Sequence, residues 1–222
     1  TDDREGAVIA QSDLRPSREE LLAVVPRFTG SIMQQPPDFS AIKRNGERAY
    51  DLAREGTAPD LAPRPVEIHA LRLLAMPDRA HAEFEAVVGK GAYIRALGRD
   101  LGLALGCYAF VSELRRLAVG RFTLDAAISL DKLESLGHSP TASGHLLPIE
   151  TALDDIPALA LSGEEAEALR CGRVVTPLRP SDRARIDLLE DGATIRATSD
   201  GRLVALAAID KGVIRPVRVM NF

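Results

Sequence analysis

Two side chains in the stretch GAYIRALGRDLG (91–102) stand out for the chemistry they could perform. Tyr93 and Arg95 lie one residue apart at the predicted start of a helix, and Arg99 follows Arg95 at a spacing of four. Ile94, Leu97, Leu101 and Leu105 recur at three- and four-residue intervals and form an apolar stripe, so the helix is built to be buried. On it, the two arginines share a neighbouring face. A planar guanidinium beside a phenol, next to a core stripe, suits recognition of a flat anionic group.

The rest of the chain holds few competing sites. Gly89-Lys90-Gly91 has only part of a dinucleotide fingerprint and reads as a turn. His138 and His145 sit among small residues without an acidic or cysteine ligand pattern, so no metal site is expected. Glu164-Glu165 is better explained as helix N-terminal charge than as an acid–base pair. Cys107 and Cys171 are too far apart in sequence for a metal motif, make no disulfide framework, and read as buried small apolar residues of a reducing, cytoplasmic protein.

The 222 residues, 45% hydrophobic and 27% charged, describe a globular protein of one large domain or of one medium and one small one. No apolar run is long enough to span a membrane, and TDDREG carries no signal-peptide pattern. The net charge of −4 argues against wholesale coating of nucleic acid, but it is unevenly spread. Residues 90–121 carry six basic against two acidic side chains, a net of +4, while residues 122–160 carry a net of −5. A basic strip on an acidic chain is a local anion-binding signal, with a solvated helix face as the plainer reading.

The elements that would position these residues can be followed along the chain. Ser17 and Glu20 form a capping box for a helix running to Pro26. The two prolines of QQPPDF enforce an extended or looped path, and Ala49, Leu52 and Ala53 then mark a helix that stops at Gly56. Residues 66–74 and 81–88 read as strands leading to the 94–105 helix. Residues 107–124 read as a further strand-like run and 125–136 as a helix. A domain boundary is expected near residues 151–157. Beyond it, Ser162 and Glu165 cap a short helix, and strands are expected over 184–189, 194–197, 203–209 and 213–219. The pairs Asp191-Gly192, Asp200-Gly201 and Lys211-Gly212 between them are turn signals for a small β-barrel.

Two long segments, FTGSIMQQPPDFSAIKRNGERAYDLAREG (28–56) and GKGAYIRALGRDLGLALGCYAFVSELRRLAVGRF (89–122), resemble the TruB family of tRNA pseudouridine synthases in order and spacing. The tail after residue 156 resembles the PUA RNA-binding module of that family. The resemblance implies an α+β fold: a mixed, mainly antiparallel pseudouridine synthase sheet with helices over 1–156, then a PUA-like β-barrel over 157–222. It implies conversion of the T-loop uridine at tRNA position 55 to pseudouridine, with no metal or organic cofactor, in the cytoplasm. The base is flipped out because its glycosidic bond is inaccessible inside a folded loop.

By the same resemblance, Arg95 pairs with the catalytic aspartate, Tyr93 contacts the flipped base or sugar unless it is a core tyrosine, and Leu114 walls the pocket. Lys43 and Arg44 approach the RNA on a loop. Arg115 and Arg116 cannot both be buried beside Leu114, so at least one meets solvent or phosphate. Arg170 and Arg173 are surface residues or contacts to the acceptor stem. Tyr50 packs. The GTLDP-type motif that carries the family's aspartate is missing from the sequence, as is an upstream tyrosine, whereas Thr1-Asp2-Asp3-Arg4-Glu5-Gly6 resembles the T-x-D-x-E/D-G run that follows the motif. The chain thus resembles the C-terminal two-thirds of such an enzyme, and Arg95 is expected to await a carboxylate from another segment or a separate chain. The alternative is a catalytically inert tRNA-binding or RNA-folding module.

Overall fold

The computed structural model describes residues 1–44, 46–57, 61–137, 143–176, 180–186 and 189–220, which divide between two units, Thr1–Arg115 and Arg116–Phe222. The first unit opens its helix α1 (Arg18–Val24) with the expected capping box: the Glu20 N–H donates to the Ser17 hydroxyl and the Ser17 N–H to the Glu20 carboxylate. At Pro26, which lacks an N–H, the path tightens into a 3-10 turn (Val25–Phe28) and enters strand β1 (Gly30–Gln34). A two-residue hairpin, β2 (Lys43–Arg44) with β3 (Glu47–Arg48), leads into helix α2 (Ala49–Arg54).

Strands β4 (Arg64–Ala75) and β5 (Glu83–Val88) complete an antiparallel sheet of order β1-β4-β5. Val66 and Ile68 alternate inward on β4. Ile68 then faces Val88 while Ala70 faces Val87, which leaves His69 as the extra residue of a bulge. The bulge shifts the alternation by one, so the next buried side chain is Leu71. These three pack with Val24 and with Leu97 and Leu101 of helix α3 (Ile94–Ala104), the helix whose apolar stripe predicted burial.

The other side of α3 is covered closely by backbone. A Cβ at Gly102 would lie 2.6 Å from the Ala109 nitrogen and 2.8 Å from its Cβ, so only glycine lets the returning chain lie this near. That return corrects the strand expected over 107–124. Residues 107–117 form no strand and touch a ladder only through the Asp3–Val111 bridge. Cys107 is buried as expected, whereas Cys171 is exposed.

In the second unit, a small hairpin pairs β6 (Ala118–Val119) with β7 (Phe122–Thr123). The helix expected over 125–136 is split: a 3-10 turn (Leu124–Ala126) precedes helix α4 (Leu130–Leu136), whose start is set by Ser129 accepting from the Lys132 N–H. Strand β8 (Ala158–Ala160) and helix α5 (Gly163–Arg170) follow, the latter capped by Ser162 and Glu165 as read. In the strand expected over 184–189, residues 184–186 instead end a helix, α6 (Pro180–Ile186), which Pro180 opens by pre-setting the first helical position and in which Ile186 is buried. Residues 187–188 lie outside the described set.

Strands β9 (Thr194–Ser199), β10 (Arg202–Asp210) and β11 (Val213–Val219) form the sheet β11-β10-β9-β8, antiparallel except for β8 beside β9. Asp200, Gly201, Lys211 and Gly212 all have positive φ, the conformation that matches a two-residue turn to strand twist. Among the described residues the sheet is open, and the Val175–Ile214 bridge extends it past β11. Leu159, Leu169, Ile186, Ile195, Val204 and Ile214 form its core. No helix among the described residues is long and apolar enough to cross a membrane.

Candidate active site

Arg95 lies in the first turn of α3, with its side chain about a quarter exposed. Its Nη1 donates to the Thr1 carbonyl at 2.7 Å and to Asp3 Oδ2 at 3.2 Å, and its Nη2 donates to the Phe39 carbonyl at 2.8 Å. One helical turn on, Arg99 donates from Nε to Asp100 Oδ1 at 2.8 Å, from Nη1 to Asp2 Oδ2 at 3.0 Å and from Nη2 to the Gln35 carbonyl at 2.8 Å. The i, i+4 pair thus fastens two otherwise irregular stretches, residues 1–3 and 35–39, to the longest helix of the unit. The Val111 N–H secures the first stretch from its other side, donating to the Asp2 carbonyl at 3.1 Å.

The charges are matched to these contacts. Partial burial pushes the Asp3 carboxyl up, but the Glu5 N–H, the Thr1 side chain and the Arg95 charge outweigh it and hold Asp3 below its ordinary value. Burial likewise works against the Arg99 cation, and the Asp100 and Asp2 carboxylates reverse it, raising Arg99 above its ordinary value. Both arginines therefore have carboxylate partners within this chain. Arg95, expected to await one from elsewhere, already holds Asp3. It still has donors to spare: the Nε–H and one Nη2–H meet no acceptor among the described residues.

Tyr93 is the N-cap of α3 but supplies no side-chain cap. The buried Gln34 amide at the end of β1 grips its backbone instead, accepting from the Tyr93 N–H at 2.8 Å and donating to the Tyr93 carbonyl at 3.1 Å. Arg64 donates to the Gly91 carbonyl at 3.1 Å, and its guanidinium carbon lies 5.3 Å from the Tyr93 ring centroid. The ring is half-buried, and its hydroxyl makes no hydrogen bond among the described residues.

The other expected residues are more dispersed. Lys43 is exposed on β2 and lines a cavity of about 390 Å³ with Gly46, Glu47, Arg48, Asp51, Leu52 and Glu55; Arg44 follows it on the same strand. Tyr50 packs edge-on against Phe39, at 5.7 Å between centroids, and carries Arg54 over its face. Leu114 is 63% exposed and belongs to no core cluster, so within this unit it is an apolar surface residue. Arg115 is exposed at the end of the first unit and Arg116 at the start of the second. Arg173 is exposed just past α5, where Arg170 pairs with Glu167 at 3.4 Å. His138 lies outside the described residues. Among those described, no three His, Cys, Asp or Glu side chains are grouped to hold a metal.

Sequence reasoning singled out neither Asp2, Asp3, Gln34 nor Arg64. The motif run at residues 1–6 contained the two aspartates, but pairing across 92 and 97 residues leaves no local periodicity to read.

Known proteins are similar to the chain over nearly its whole length. Residues 1–94 match the N-terminal domain of the TruB family pseudouridylate synthases, and residues 95–154 match the tRNA pseudouridylate synthase B C-terminal domain. A tRNA pseudouridine synthase B of Bradyrhizobium diazoefficiens is 52% identical over 100% of this chain and 64% of its own length. Its counterpart in Rhodospirillum rubrum is 50% identical over 100% of this chain and 72% of its own length. In fold, the chain is similar to a solved Cbf5-Nop10-Gar1 complex, with a TM-score of 0.67 and 22% identity over 95% of this chain and 63% of the other. It is similar also to an H/ACA RNP bound to a substrate RNA containing 2'-deoxyuridine, with a TM-score of 0.69 and 19% identity over 96% and 64%. The chain belongs to the TruB family of pseudouridine synthases and spans 64% of the length of the Bradyrhizobium relative.

Proposed function

We propose that these residues form the orienting part of a tRNA pseudouridine synthase site that isomerises the T-loop uridine at tRNA position 55. The observation that carries this reading is the state of Arg95, whose guanidinium is held by Asp3 and by the Thr1 and Phe39 carbonyls while two of its N–H donors meet no acceptor among the described residues. A cation fixed in this way can bind and orient a second carboxylate and keep it ionised. That carboxylate is the nucleophilic aspartate of a GTLDP-type motif, which these 222 residues do not contain. It is supplied by a further stretch of polypeptide or by a separate chain.

The uridine is flipped into the pocket, where Tyr93 lies against it and Leu114 excludes water from one side. The aspartate assists cleavage of the bond between C1′ and N1. The base turns and rejoins C1′ through C5; the C5 proton leaves and N1 gains one, so the exchange consumes no co-reactant. Lys43, Arg44, Arg115 and Arg116 meet tRNA phosphates, and the β8–β11 module over residues 157–222, with Arg173, contacts the acceptor stem as a PUA-like domain.

Tritium release from tRNA labelled at uridine C5 tests the reading. The 222-residue chain alone is expected to release none, and a polypeptide that also carries the GTLDP-type motif is expected to release it. Turnover by the 222 residues alone would contradict the assignment and direct attention to Asp3 or Asp100.

A further inference from the structure

We infer that Gln34 and Arg64, which face each other across β1 and β4, are positioning residues that set Tyr93, and through it Arg95, for the reaction; this rests on the pocket proposed above. The two residues form one rung of the antiparallel ladder. From that rung both side chains reach the same turn: Gln34 holds the backbone of Tyr93, and Arg64 holds the Gly91 carbonyl and flanks the Tyr93 ring.

The physical need arises at the start of α3. A helix N-terminus leaves backbone N–H groups without intrahelical partners, and a Ser, Thr, Asp or Asn cap usually holds the entering chain. Here the cap position is Tyr93, with extended φ of −105° and ψ of 114° and no side-chain cap. Gln34 supplies the missing constraint by pairing with the N–H and the carbonyl of one residue, as a neighbouring strand would. The side chain is only 1% exposed, so these two bonds are shielded from solvent. Only a carboxamide offers one donor and one acceptor at this reach. Glutamate would set an acceptor against the Tyr93 carbonyl, and methionine would keep the length but offer neither group.

Arg64 fixes the remaining freedom. Backbone pairing sets where Tyr93 leaves the chain but not how its ring is turned. The guanidinium beside the ring supplies that restraint through cation–π attraction, and its bond to Gly91 keeps it from swinging away. Among the described residues the phenol oxygen is left unengaged, as a group aimed at a ligand would be. Arg95 follows two residues later on the same first turn, so a shift of Tyr93 moves the guanidinium as well.

The test uses the enzyme that carries both these residues and the nucleophilic aspartate, with Gln34→Met and Arg64→Lys measured for single-turnover rate, tRNA affinity and Tm. Gln34→Met is expected to slow turnover at saturating enzyme by about 30-fold, with affinity changed by less than about threefold. Arg64→Lys is expected to slow it by about fivefold, and this half-buried site carries the test if Gln34→Met fails to fold. Tyr93→Phe should cost less in the Gln34→Met background than alone, since the ring is by then misplaced. A lowered Tm with unchanged rates, or effects that simply multiply, would overturn the positioning role. Arg95→Lys serves as the control for the underlying pocket. If it too leaves the rate intact, the pocket reading fails with this inference; if it alone is slow, only this inference fails.

Discussion

The basic strip from Lys90 to Arg121 contains two kinds of arginine. Arg95 and Arg99 stand on a regular helix, about a quarter exposed, and each donates to three acceptors of the chain itself. Arg115 and Arg116 lie on an irregular, solvent-facing segment. Sequence alone gives all four the same charge. The difference is one of use: the first pair spends its forked geometry on fixing loops and carboxylates in place, and the second offers charge to whatever approaches. An exposed cation is screened by salt and is replaceable by any other, whereas a fixed fork is not replaceable even by lysine.

Substitutions should separate the two groups sharply. The largest effect is expected at Arg95. Arg95→Lys in the enzyme bearing the nucleophilic aspartate should lower single-turnover rate by about a hundredfold or more while tRNA affinity changes by less than about threefold. Equal losses of rate and affinity would move Arg95 into the phosphate-binding group. Smaller effects are expected on the exposed side: Arg115→Ala and Arg116→Ala should each weaken binding of a T-arm hairpin by about two- to fivefold and reduce the salt slope by about one, with the saturated rate unchanged. Filter binding across a salt series measures this, and an unchanged slope would make the outer arginines ordinary surface.

What could be read from sequence follows the same divide between local and distant. The two capping boxes, at Ser17 and Ser162, were legible because both partners lie within three residues. The turns at Asp200-Gly201 and Lys211-Gly212 were legible because few residue pairs adopt positive φ readily. The run over 107–124 misled in its first part because its apolar residues suit a strand, yet residues 107–117 are laid against α3 at Gly102 and form no strand, and only the short β6–β7 hairpin at its end is paired. The strand expected over 184–189 misled because Ile186 and its neighbours look β-prone, while Pro180 starts a helix upstream. Tyr93 and Arg95 were singled out in the sequence from their place on a helix built to be buried, and the roles proposed for them came from the family resemblance. The groups that hold them were not legible, since Asp3, Gln34 and Arg64 reach them only through tertiary contacts.

The central claim is that Arg95 and Asp3 act as one unit that presents the guanidinium to the catalytic carboxylate. A double-mutant cycle on single-turnover pseudouridine formation tests it, using Asp3→Asn, Arg95→Lys and the two combined. Asp3→Asn alone should slow the reaction by about tenfold or more, because the fork then loses the charged partner that fixes it. The double variant should be no slower than Arg95→Lys within about twofold, since once the fork is gone its support has nothing left to hold. Full multiplication of the two losses would mean that Asp3 and Arg95 contribute independently and would contradict the account.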